Sequence, residues 1–268
     1  MGKSMTFKPE IIVCEAPEEL SRVSCKTILD IIDQSKREVW PLSLALSGGS
    51  TPKMLYKRLH DEHLQLLRDE RPLRFFLGDE RLVATDAAES NYNMAREVLL
   101  RDIPDDLVVP VDISVLETTP AKDAANAVKV ADAYAKRLSS LLPMHTVQET
   151  NTQIPIFDII LLGLGSDGHT ASVFPGTEAA KEVHRAVTVS FPGPTMNPKV
   201  WRITLTPTTI IHARHVIVLA TGSEKRWVLN GIIAENESSE TPVSRFLRDC
   251  KGRVTFLLDK EIAKDINL

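Results

Sequence analysis

Phe157-Asp158-Ile159-Ile160-Leu161-Leu162 is apolar at every position but one and runs straight into Gly163-Leu164-Gly165. A strand with one wet face alternates apolar and polar residues. A nearly continuous apolar run is what a strand covered on both faces requires, and parallel sheets are built that way. Related runs recur at Glu10–Cys14, Leu42–Leu46 and Leu73–Leu77, and near Ala186–Phe191, Trp201–Leu205, His215–Ala220 and Val254–Leu258. Helical spacing fills most of the gaps. Pro17 opens one helix, in which Leu20, Val23, Ile28, Ile31 and Ile32 share a face. A second runs to about Arg68, a third covers Asn91–Arg101, and a long Ala-rich one spans about Ala121 to Leu142. This alternation predicts an α/β fold with a doubly wound, mostly parallel sheet and helices on both faces. Polar, helix-poor Met144–Pro155 reads as a surface loop. Without repeats or low-complexity tracts, the 268 residues read as a single α/β domain, with residues 1–8 a loose tail.

Two glycine loops follow expected strands. Ser47-Gly48-Gly49-Ser50-Thr51-Pro52 joins a strand to an amphipathic helix, with Thr51 suited to the N-cap and Pro52 to the first helical position. The exposed amides and the positive end of the helix dipole would then face the C-terminal edge of the sheet, where a phosphate is favoured. The alternative is a tight turn with no ligand. No G-x-x-x-x-G-K-[ST] pattern is present, which argues against ATP or GTP. The second loop, Gly163 to Gly168, matches G-x-G-x-x-G formally. However, Pro175-Gly176 breaks the helix a dinucleotide would need, and no acidic residue ends the next strand. What it presents is Asp167 and His169 at a strand's end, a pairing suited to acid–base chemistry. The other six histidines read as surface or packing residues, and His60-Asp61-Glu62-His63 is not a zinc motif. Gly78-Asp79-Glu80-Arg81 follows another buried strand and would be either a solvated turn or part of the same edge. Lys225 begins the helix after His215–Ala220, where a cation opposes the dipole and an anion would offset that cost. Arg202 points either into a cleft or to water.

Charge and cysteine content narrow the class. Thirty-six acidic against 32 basic residues give a net charge of −4, which argues against a nucleic-acid binder held by phosphate neutralisation. Three cysteines (Cys14, Cys25, Cys250) without C-x-x-C spacing suggest reduced, mostly buried thiols and no zinc site. No apolar run approaches the ~20 residues of a membrane span. The first ten residues lack the apolar core of a secretion signal, and the C-terminal Ile266-Asn267-Leu268 is not a peroxisomal tripeptide. Gly2 and Thr6 fit the loose myristoylation pattern, but no polybasic second anchor follows. A cytoplasmic protein is expected.

Taken together, LALSGGSTPKMLYKRL (44–59), FFLGDERLV (75–83), ESNYNMAREVLL (89–100), DIILLGLGSDGHTASVFPGT (158–177), WRITLTPTTI (201–210) and VIVLATGSEK (216–225) make the chain resemble the 6-phosphogluconolactonases, from about Pro9 to Lys260. The resemblance implies hydrolysis of 6-phosphoglucono-1,5-lactone to 6-phosphogluconate in the pentose phosphate pathway by a monomer, without metal or cofactor. His169 would activate water and then protonate the departing ring oxygen, and Asp167 would orient it or hold a sugar hydroxyl. Gly49, Ser50, Thr51 and Lys225 would grip the phosphate, with Arg81 and Arg202 as further anion contacts, and Gly48 and Asp79 would complete the substrate-binding set. The motifs do not divide phosphate and oxyanion between the two arginines.

Two other functions compete. Glucosamine-6-phosphate deaminases share the Gly loop and a DGH segment, but carry a glutamate five residues after the histidine, where this chain has Phe174. Asp79 aligns with their proton-abstracting carboxylate and by itself would point to them. A sugar-phosphate sensor of the transcription-regulator type would need a helix-turn-helix ahead of the sheet, and the first expected strand already begins at Glu10.

Overall fold

A computed structural model describes residues 7–35, 41–70, 72–114, 116, 123–193, 196–233, 241–264 and 266. The tail before Phe7, Gly2 included, and the first two residues of the expected Ala-rich helix lie outside them.

In chain order the strands are β1 (Glu10–Cys14), β2 (Leu42–Leu46), β3 (Leu73–Leu77), β4 (Asp79–Arg81), β5 (Val108–Val109), β6 (Met144–Val147), β7 (Thr152–Pro155), β8 (Ile159–Gly163), β9 (Val187–Ser190), β10 (Arg202–Leu205), β11 (His215–Ala220) and β12 (Arg253–Asp259). The helices are α1 (Pro17–Gln34), α2 (Ser50–Gln65), α3 (Asn91–Val98), α4 (Ala124–Leu141), α5 (Pro207–Ile211), α6 (Arg226–Ile233), α7 (Pro242–Arg248) and α8 (Lys260–Ala263). Among the described residues, seven strands form one parallel sheet in the order β1-β12-β11-β8-β2-β3-β5. β2 is buried throughout, as is β8 from Ile159 to Leu162, as their unbroken apolar runs require. α1 packs on α2 and β12, and its Leu20, Ile28 and Ile32 are at most 1% exposed. Burying each such side chain contributes roughly 1.5–3 kcal/mol. Phe76 and Phe157 meet edge to face at 5.4 Å in the core. Asp158, the polar residue in the β8 approach, accepts hydrogen bonds from the Ser43 amide and hydroxyl, both at 2.9 Å, and pairs with Arg214 at 3.2 Å. It thereby ties β8 to β2 at the base of the sheet. The thiols are free. Cys14 and Cys25 are buried and Cys250 partly so, and burial pushes Cys25 up to about 11 and Cys250 to about 12.

Some expectations need correction. Met144–Pro155 is an antiparallel hairpin, β6 with β7, and not a loop. The expected strands near Ala186–Phe191 and Trp201–Leu205 do not join the large sheet. As β9 and β10 they pair antiparallel with β4, the Gly78-Asp79-Glu80-Arg81 segment that could have been a turn. α4 lies on this smaller sheet. The second helix ends at Gln65 and continues as a wider π turn to Glu70. Among the described residues no helix is long and apolar enough to cross a membrane.

Candidate active site

β2 and β8 are neighbours, but the chain leaves β2 towards β3 and β5 and leaves β8 towards β11 and β12. Their outgoing loops therefore diverge, opening a crevice at the C-terminal edge where open α/β sheets bind ligands. Both glycine loops stand there. The crevice has a volume of about 300 Å³, and its lining includes Gly48, Gly49, Ser50, Thr51, Asp79, Arg81, His169, Arg202 and Lys225. Every expected site residue except Asp167 lines it.

The first loop is fixed from below. The phenol of Tyr56, on α2, accepts from the Ser47 amide at 2.8 Å and donates to the Ser47 carbonyl at 2.7 Å. Tyr134, on α4, does the same for Leu77 at the end of β3. Burial pushes both phenols up, so they stay protonated donors. The expected cap is corrected: α2 begins at Ser50, with Gly49 as cap residue at φ 108°, and no side chain caps it. A side chain is strained at that angle, so glycine is required there. Pro52 stands third in the helix, and Thr51 Oγ1 meets Thr221 Oγ1 at 3.1 Å, joining this loop to the one carrying Lys225. With no capping side chain, the first amides of a 16-residue helix remain available to an anion.

The smaller sheet supplies the arginines. Arg81 of β4 and Arg202 of β10 are register partners, which sets two guanidinium groups side by side. Among the described residues neither has an ion-pair partner, and the Nε of each is buried without a hydrogen bond. Arg202 is 2% exposed. Burial lowers its pKa, the charge of Arg81 adds to the effect, and Asp79 and Asp167 oppose it. Arg81 is half-buried and donates from an Nη to the Glu89 carbonyl at 2.5 Å. One buried and one half-buried guanidinium, with no carboxylate paired to either among the described residues, suit an anion. Glu80 locks this edge in place. Its carboxylate accepts from the amides of Arg81 (2.7 Å), Asn91 (2.8 Å) and Tyr92 (2.7 Å) and from the Ser90 hydroxyl (3.1 Å), tying β4 to the start of α3. Asp79 accepts from the Ser172 hydroxyl at 2.6 Å and the Asn91 side-chain amide at 3.3 Å.

The second loop carries the titratable group. His169 Nδ1 is hydrogen-bonded to Asp167 Oδ1, which also accepts the His169 amide at 3.2 Å. Burial pushes Asp167 up, but the hydrogen bond and charge from His169 outweigh it and hold the carboxyl below the usual range. An ionised carboxylate only accepts, so Nδ1 carries the proton and Nε2 is left as a base. Among the described residues nothing bonds Nε2. Gly165 makes the pairing possible: a Cβ there would overlap the imidazole and stand 2.7 Å from Asp167 Oδ1. Trp227, on α6, donates its indole N–H to the Ser166 carbonyl at 2.9 Å and braces the loop. Asp167 is thus brought to His169 and not to the crevice wall.

Sequence reading missed Asn91, Glu80 and Trp227 as parts of the site. Asn91 lines the crevice and holds Asp79, and its only signal was a polar residue in the helix-opening ESNYN. Among the described residues there is no group of three His, Cys, Asp or Glu side chains arranged to hold a metal.

Over most of its length the chain is similar to known proteins. The sequence model of the family described as glucosamine-6-phosphate isomerases/6-phosphogluconolactonase matches residues 15–256. The 6-phosphogluconolactonase of Synechocystis is 34% identical over 226 residues, 84% of each chain. The structure of 6-phosphogluconolactonase from Trypanosoma cruzi superposes with a TM-score of 0.94 at 64% identity, covering 100% of both chains. That from Trypanosoma brucei gives 0.93 at 58%, covering 97% of this chain and 100% of its own. With these matches spanning nearly its whole length, the chain belongs to the 6-phosphogluconolactonase family.

Proposed function

We propose that this enzyme hydrolyses 6-phospho-D-glucono-1,5-lactone to 6-phospho-D-gluconate by His169-assisted attack of water on the lactone carbonyl. The observation that carries the reading is one crevice lined by His169, its imidazole oriented by Asp167, and by two guanidinium groups that have no ion-pair partner among the described residues.

His169 Nε2 takes a proton as the water oxygen bonds to C1. The negative charge arising on the carbonyl oxygen is stabilised by a guanidinium of the Arg81–Arg202 pair, in place before the substrate arrives. As the C1–O5 bond breaks, the imidazolium returns its proton to O5 and leaves an open-chain acid. Asp167 holds the neutral imidazole in its reactive tautomer and offsets the imidazolium charge. The phosphate lies against the first amides of α2 at Gly49, Ser50 and Thr51, with Lys225 and the remaining guanidinium. Gly48 allows its close approach, and Asp79 accepts from a sugar hydroxyl. Anchoring a remote phosphate turns binding energy into orientation of the carbonyl, so lactones without a phosphate react poorly. Phe174 stands where the related deaminases carry a proton-transferring glutamate and cannot do that work.

The test is lactone hydrolysis by the purified protein, followed as acid release. Rapid turnover of the phosphorylated lactone, well above glucono-1,5-lactone, supports the reading, and equal rates for the two would contradict it.

A further inference from the structure

Phe174 is buried at 3% exposure and touches both functional groups of the site. The Arg202 Cζ lies over its ring, 5.1 Å from the centroid, and the His169 imidazole centroid lies 4.9 Å away with the planes inclined at 45°. A buried guanidinium needs compensation. For Arg202, Phe174 supplies it in an unusual way. Among the described residues, the only hydrogen bond of the guanidinium is a long one, from an Nη to the Pro198 carbonyl at 3.5 Å. A carboxylate in place of the ring would pair with the guanidinium, occupy its donors and cancel its charge. An aliphatic side chain would fill the space and leave the cation uncompensated. An aromatic face attracts the cation through its quadrupole and takes up none of the N–H donors along the guanidinium edge.

We propose that Phe174 is a positioning residue for lactone hydrolysis: its ring holds Arg202 at the crevice, charged and with donors free, and seats the His169 imidazole beside it. The inference rests on the roles given above to Arg202 and His169. If the ring's hold weakens, part of the free enzyme has Arg202 displaced, and that fraction raises the apparent Kd and KM.

The test replaces Phe174 in the full chain with phenylalanines bearing one, two and three ring fluorines. These drain the face of negative potential at nearly constant shape. The Kd for 6-phosphogluconate and the KM for the lactone should rise stepwise with fluorine number, by roughly tenfold across the series. In an Arg202→Met background the same series should be flat. Phe174→Leu should weaken binding at least as much as the trifluorinated ring. A series without trend in the wild-type background overturns the proposal, as does an equal trend in Arg202→Met, which would mean packing alone. An unmodified protein that fails to hydrolyse the lactone overturns the functional reading, and Phe174's role with it. Normal hydrolysis with a flat series removes only Phe174's role.

Discussion

Asp167 Oδ1 accepts two hydrogens from His169, one from its amide and one from imidazole Nδ1, and so fixes which ring nitrogen is left to act as a base. Asp167→Asn keeps the shape but offers an amide that can donate, stabilising the wrong tautomer. The kcat for the lactone should fall by on the order of 10²-fold or more with KM little changed. Steady-state kinetics check this.

The lowered pKa of Asp167 also sets a pH expectation. A carboxyl whose folded value is depressed stabilises the fold above the ordinary range, and this is lost only as pH falls through the lowered value. It stays ionised through the ordinary carboxylate range and above it, so Asp167 contributes no limb to kcat/KM there. A pH–rate profile with its acid limb near pH 4 would contradict this.

Gly165→Ala should separate activity from folding. The added methyl displaces the His169–Asp167 pair in a surface loop, without touching the sheet core. A shift of about 1 Å at a catalytic base costs roughly 10²-fold in rate. The melting temperature should stay close to wild type.

Glu80→Gln tests the clamp between β4 and α3. Four donors converge on this buried carboxylate, and an amide can accept at only one of its two positions. Each carboxylate oxygen accepts two of them, so two donors lose their acceptor, and unfolding free energy should fall by about 1–3 kcal/mol for each, measurable by urea titration. Burial raises the pKa of Glu80 despite those hydrogen bonds. A raised folded value means its contribution is present below the ordinary glutamate range and lost as pH rises through that value. Wild-type stability should decline over that interval, and the decline should be absent in Glu80→Gln.

Lys225→Ala should raise KM about tenfold, equivalent to ~1.4 kcal/mol, and change kcat by less than about threefold, because a phosphate contact binds ground and transition states alike. Its Nζ is held only loosely in the free protein, 3.9 Å from Glu224. Kinetics with lactone concentration varied decide the split.

The parallel sheet and both glycine loops were legible because their signals are local: unbroken apolar runs, and glycines where the backbone must bend or approach closely. The smaller sheet was not. β4 is three charged residues long, and its pairing with β10, which sets Arg81 beside Arg202, is a contact across 121 positions of sequence that no periodicity encodes. The hairpin of β6 and β7 was hidden because each strand is only four residues long, β6 is mostly exposed, and the buried positions of β7 include Thr152 and Pro155 and so form no apolar run. Thr51 suggested an N-cap from residue type alone, but Gly49, at positive φ, caps the helix two residues earlier. Phe174 could be read in the sequence only as a missing glutamate, because what it touches depends on tertiary packing.

The account rests most heavily on His169 as the base. The most direct measurement compares His169→Ala with wild type in lactone turnover and in calorimetric binding of 6-phosphogluconate. Loss of turnover by about 10³-fold or more with Kd within a few-fold is the expected result. Unchanged turnover in His169→Ala would contradict it.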